Sequence, residues 1–398
     1  MPVPNSYSHF NLELPPNCTL DLPIVSTFPT ERLIFTPLIG SASSAPVILF
    51  IPGNPGTCLF YISFLAALQQ HYPSHTIHAI SYAGHGITSQ TVAGSQSDFG
   101  IADSLAGQTA HKLTYITEVI APQPRSLTLI GHSIGCYLIS HLLPCLSLHH
   151  PTIATPATYF LTPFIRMKPA LLSQSVPLKI VAASPLIIPL TILSATNAAL
   201  SLLSPLTTPL IATFLKHLGG ITETNTRTVS CALAVNKGYL RNFITLGHEE
   251  ISTLPEVSVD EERGRRARVQ TVRLERPSKM ALLPFALLPS VGRAVTPIAN
   301  THSLHPLQIV PVHELNAVAR CTQLFCLYAG GPDQWGPVGH MREMIELQEG
   351  GHMEGFGTEF EGGITHDFVR TREQIERVVE FMGKYKGEVG RVRAVAKL

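Results

Sequence analysis

Gly131-His132-Ser133-Ile134-Gly135 sets a serine between two glycines, each two residues away. A serine hydroxyl becomes a strong nucleophile only beside a general base. It is best presented on a tight strand-to-helix turn, whose flanking positions must lack clashing side chains. Leu127 to Ile130 before it reads as a strand, and Ile134 to Leu143 after it reads as a helix that ends near Pro144. Ser133 is therefore the candidate nucleophile for acyl transfer.

A base and an acid that orients it should follow along the chain in the order Ser, Asp or Glu, His. Asp333, in Gly330-Gly331-Pro332-Asp333-Gln334-Trp335, comes directly after an apolar run at 322–329, at the edge of a sheet where ligands bind. His366, in Gly362-Gly363-Ile364-Thr365-His366-Asp367-Phe368, lies on a loop before the last helical pattern. It is the expected base, with His340 and His352 as rivals among 18 histidines. Charge developing on an attacked carbonyl needs two backbone N–H donors. One is expected from Ile134, after the nucleophile. The other is expected from Pro52-Gly53-Asn54-Pro55-Gly56, where the prolines have no N–H; Gly53, Asn54 and Gly56 remain, with Asn54 best placed. No metal site and no cofactor are expected.

The elements that must position these residues alternate. Strands are expected at Val47 to Ile51, Thr76 to Tyr82, Leu127 to Ile130 and Ala157 to Leu161, with helices at Phe60 to Gln70 and Asp103 to Ile120. That rhythm is the mark of a mostly parallel central sheet flanked by crossover helices, the α/β class. A strand at Thr322 to Ala329 and an amphipathic helix at Arg372 to Tyr385, with Ile375, Val378, Val379 and Met382 on one side, complete the core. The core is thus split into residues 1–162 and 321–398 by an insertion, a cap or lid, at 163–320. Residues 256–311 show no clear period and are not placed.

Composition narrows the partners. The 28 basic and 27 acidic side chains leave a net charge of +1, so nucleic acid is not expected. Charged residues are 14 % against 45 % hydrophobic, a low-charge balance that points to apolar surface meeting something other than water. Seven cysteines are scattered without metal-ligand spacing and read as reduced, mostly buried thiols of an intracellular protein. The opening residues carry neither a basic start nor an apolar stretch, so no secretory signal is expected.

Residues 180–215 contain no ionisable side chain but are broken by Pro185, Pro189, Pro205 and Pro209. Two short apolar helices in a hairpin fit this pattern, either entering one leaflet of a lipid surface or packing as a lid; a straight span does not fit. The final Ala396-Lys397-Leu398 is close to a peroxisomal address.

The sequence resembles the lipid droplet-associated hydrolase family. The matching features are IPGNPG with Phe60-Tyr61 shortly after, Gln108-Thr109-Ala110-His111-Lys112, GHSIG, LTPFIRM at 161–167, LYAGGPDQW and GITHDF. The resemblance implies the α/β-hydrolase fold and a Ser133, Asp333, His366 triad. It also implies hydrolysis of a lipid ester at a lipid droplet or on the cytoplasmic face of the endoplasmic reticulum. A catalytically silent lipid-surface protein on the same scaffold is the alternative. Gln108, His111 and Lys112 read as one face of a surface or packing helix and stay outside the site.

Overall fold

The computed structural model describes residues 12–87 (except 27 and 44), 104–122, 126–165, 212–254 (except 214, 218, 219, 235 and 236), 322–329, 357–361 and 364–386. The sheet is built from β1 (Cys18–Asp21), β4 (Arg32–Phe35), β5 (Val47–Ile51), β6 (Thr76–Ile80), β7 (Leu127–His132), β8 (Ala157–Leu161), β9 (Gln323–Ala329) and β10 (Gly357–Glu361). β2 (Ile24–Val25) and β3 (Phe28–Pro29) form a separate small pair.

Eight strands run in the order β1-β4-β6-β5-β7-β8-β9-β10. β4 is antiparallel to both its neighbours, and every pairing from β6 to β10 is parallel. This is the α/β-hydrolase arrangement that the sequence led us to expect.

Successive side chains on a strand point to opposite faces, and in β5 both faces are covered. Ile48 and Phe50 join one apolar cluster with Phe64 and Leu65 of α1 (Ile62–His71) and Val378 and Met382 of α6 (Arg372–Tyr385). Val47, Leu49 and Ile51 join the other with Tyr115 of α2 (Leu105–Tyr115) and Leu138 and Leu142 of α3 (Ile134–His149). A strand buried on both faces reads as an unbroken apolar run. VILFI is such a run.

Two expectations need correction. Helix α3 does not stop near Pro144 but continues through it to His149. Leu142, Leu143 and Leu146, on both sides of the proline, are buried against the sheet. Their packing, about 1.5–3 kcal/mol for each side chain, outweighs the ~3 kcal/mol cost of an interior proline. The strand at Thr76 stops at Ile80 rather than Tyr82, because Ser81 and Tyr82 turn their N–H groups to Glu31 and Gly56.

Within the expected insertion, α4 (Thr224–Ala234) and α5 (Lys237–Thr253) pack on the core. Glu223 caps α4 by accepting from the N–H groups of Asn225 and Thr226, and it also accepts from Ser63 Oγ at 2.6 Å. Thr226 Oγ1 donates to the carbonyl of Val369. Tyr239 and Leu246 of α5 enter the two core clusters. No helix among the described residues is long and apolar enough to cross a membrane. The expected hairpin at 180–215 falls almost wholly outside the described residues, and 256–311 and the C-terminal tripeptide fall fully outside them.

Candidate active site

Ser133 occupies the turn between β7 and α3 with φ 53° and ψ −123°, a conformation that side-chain-bearing residues rarely adopt. The glycines around it are required by space. A Cβ on Gly131 would lie 2.8 Å from the Cys136 nitrogen, and one on Gly135 would lie 2.6 Å from the Pro52 carbonyl oxygen. The turn is locked by Ser133 N–H donating to Leu161 O and by Cys136 N–H donating to Ser133 O, each at 3.0 Å.

His366 sits between β10 and a short 3-10 turn at Phe368–Arg370. Its Nε2 lies 2.7 Å from Ser133 Oγ, although 233 residues separate the two in sequence. Hydrogen-bond geometry thus joins a hydroxyl to a nitrogen able to take its proton. Thr365 anchors the loop to the start of α6, its N–H and Oγ1 both donating to Gln374 Oε1. Asp333 and the rival histidines His340 and His352 lie outside the described residues.

The loop after β5 crowds Ser133. A Cβ on Gly53 would stand 2.8 Å from both Ser133 Cβ and His132 Nδ1, so only glycine allows this approach. Two of its three N–H groups are already engaged: Gly53 donates to the Tyr61 hydroxyl at 3.2 Å, and Gly56 donates to Gly53 O at 2.8 Å. The N–H of Asn54 has no acceptor among the described residues, and neither does that of Ile134 at the first position of α3. Orphan N–H groups at a helix start suit an anion.

Helix α5 passes over this loop. Asn242 Nδ2 donates to Gly84 O at 2.6 Å, and a Cβ on Gly247 would lie 3.5 Å from Asn54 Nδ2. The carboxyl of Glu250 is pushed up to about 8, chiefly by burial; the Asn54 side chain opposes the shift and Glu249 adds to it.

Behind the loop is a buried polar layer. Gln108 brackets Ala83, accepting from its N–H at 2.9 Å and donating to its carbonyl at 3.1 Å. Lys112 Nζ donates to Ser81 O at 2.7 Å and lies 4.8 Å from the centre of the Tyr82 ring. Burial drives its pKa well below the usual range. The face read as surface or packing is therefore a packing face that fixes the Ser81–Gly84 turn. No group of His, Cys, Asp and Glu suited to a metal occurs among the described residues. Six of the seven cysteines are described as free thiols, five of them buried.

Sequence reasoning missed Tyr61, His132 and Thr162 as parts of the site. Tyr61 Oη lies 2.6 Å from His132 Nδ1, and His132 Nε2 and Thr162 Oγ1 lie 2.7 and 3.1 Å from the carbonyl oxygen of His366. His132 carried a signal in its place inside the motif, and Tyr61 and Thr162 in the Phe60-Tyr61 and LTPFIRM features that match the family.

Known proteins resemble this chain in sequence and in fold. Over 108 residues the chain is 36 % identical to the human lipid droplet-associated hydrolase, covering 24 % of this chain and 32 % of the relative. The rat protein of that name is 32 % identical over 146 residues, 32 % of this chain and 45 % of the relative. The matches thus span from 32 to 45 % of the relatives' length. A haloalkane dehalogenase from Bradyrhizobium elkanii superposes with a TM-score of 0.52 at 14 % identity, over 95 % of this chain and 99 % of that one, a likeness of fold alone. Residues 44–270, more than half of the chain and including the Ser133 turn and the loop that crowds it, match the family described as lipid-droplet associated hydrolase, and the chain belongs to that family.

Proposed function

We propose that the protein is a serine esterase that cleaves carboxylic esters of lipids at a lipid droplet surface. The observation that carries this reading is the 2.7 Å contact between Ser133 Oγ and His366 Nε2 on a glycine-flanked turn. In this reading His366 takes the hydroxyl proton as Ser133 attacks the ester carbonyl. The negative charge of the tetrahedral intermediate falls to the N–H groups of Asn54 and Ile134. His366 then passes the proton to the leaving alcohol, and water releases the acyl group by the same steps in reverse order. Asp333, four residues beyond β9, is the group proposed to orient the imidazole. Sterol esters and acylglycerols are the substrates proposed.

The relatives' name supports the lipid-droplet setting, and the apolar segment 180–215 is proposed as the part that meets lipid. Fluorophosphonate labelling on isolated droplets tests the chemistry. Wild-type protein should be labelled and Ser133→Ala should not. An unlabelled wild type would leave a hydrolase scaffold without turnover.

A further inference from the structure

The residue before the nucleophile is any residue in a Gly-x-Ser-x-Gly pattern, yet here its side chain is buried and both ring nitrogens are engaged. The direction of each bond follows from its partners. The carbonyl of His366 can only accept, so His132 Nε2, 2.7 Å away, must carry the proton. The N–H of Gly53 can only donate, so the Tyr61 oxygen accepts there at 3.2 Å. Tyr61 then gives its own proton to His132 Nδ1 at 2.6 Å. Burial pushes the Tyr61 phenol up, which keeps that proton in place. One neutral tautomer, Nε2–H, satisfies the whole chain.

The same carbonyl accepts a second bond from Thr162 Oγ1 at 3.1 Å. Thr162 is itself held at φ 42°, its N–H donating to Leu327 O at 2.7 Å. Donors from the ends of β7 and β8 thus converge on the main chain of His366. Phe368 closes the other side, its ring edge-on to His132 with centroids 5.1 Å apart.

We propose that His132 is a positioning residue, its Nε2–H bracing the His366 main chain so that the imidazole meets Ser133, with Tyr61 donating to His132 Nδ1. Residues 132 and 133 share one turn, so the brace and the nucleophile move together. The Ser133 to His366 distance is thereby set within a single rigid element. Gly53 belongs to the same chain of bonds, which ties the oxyanion loop to the base. The inference rests on the serine-hydrolase reading.

The test compares His132→Gln, whose amide N–H reaches the His366 carbonyl, with His132→Asn, which is too short, and with His132→Ala. Misplacing the base by about 1 Å should lower kcat for a p-nitrophenyl ester and the fluorophosphonate labelling rate about 100-fold in the Asn and Ala variants. KM should stay within about twofold, because the base does not contribute to ground-state binding. His132→Gln should recover to within about fivefold of wild type, a single hydrogen bond being the difference. Equal losses in Gln and Asn, or a wild-type rate in Ala, would overturn the proposal. In 15N-histidine NMR the signals missing from His132→Gln should show the neutral Nε2–H pattern at neutral pH, and Tyr61→Phe, which removes the donor to Nδ1, should shift the Nδ1 signal while Nε2–H persists. An Nδ1–H pattern would overturn the brace even if wild type proves inactive, and an imidazolium pattern would overturn the bond from Tyr61 to Nδ1. Inactivity of wild type with the Nε2–H pattern present would instead sink the hydrolase reading alone.

Discussion

At Ser133 a strained backbone and a single imidazole contact concentrate the chemistry that we propose. Because members of such a unit act together, Ser133→Ala and His366→Ala should each reduce ester turnover by up to ~10^6-fold, and the double variant should lose little more. An additive double loss, measured by initial rates, would show that the two residues do not share a step. Gly135 makes a different demand. A methyl group there would press on the backbone oxygens of Ile51 and Pro52. Gly135→Ala should cost about 1–3 kcal/mol in urea unfolding, the usual range for overpacking, and should slow labelling as well. His132 was visible in the motif as a letter without a role. Its hydrogen-bond partners Tyr61 and His366 lie 71 and 234 residues away, so no local pattern could pair them with it.

Among the elements, α5 was not foreseen. Its residues KGYLRNFITLGHEEIST mix charged and apolar side chains, and its place over the loop after β5 depends on Leu246 and Tyr239 reaching separate core clusters. Glu250 on this helix faces Asn54, Tyr82 and Glu249. Its folded value of about 8 lies above the ordinary 4.5, so folding favours the protonated form. The associated stability is fully present below pH 4.5 and is lost as pH rises toward about 8. Glu250→Gln should remove this pH dependence and raise stability above pH 8 by a few kcal/mol, since each tenfold change in proton affinity is worth about 1.4 kcal/mol. Thermal melting of both proteins from pH 5 to 9 checks it, and parallel curves would count against a buried carboxyl. The β1 and β4 strands were likewise unread, since four residues each are too short for periodicity to register.

For the whole molecule, residues 180–215 are proposed to attach the hydrolase to lipid without crossing a bilayer, since proline interrupts each half near its start. Deleting them should move the protein from droplets to the soluble fraction while Ser133 still labels. Retention on droplets would sink the anchor, and loss of labelling would favour a lid. The sequence by itself determined the inner strands and the Ser133 turn, because a doubly buried strand needs an unbroken apolar run and a tight turn needs glycine where any Cβ would strike backbone. Val47–Ile51 and Ala157–Leu161 could be bounded from their apolar runs, and Arg372–Tyr385 from its one-sided apolar spacing. Only the tertiary structure decided that Pro144 stays inside its helix, that the Asn54 N–H finds no acceptor among the described residues while those of Gly53 and Gly56 do, and that Ser133 and His366 come within hydrogen-bonding distance. Each of these depends on groups distant in sequence competing for the same space or the same proton, and a local pattern records neither.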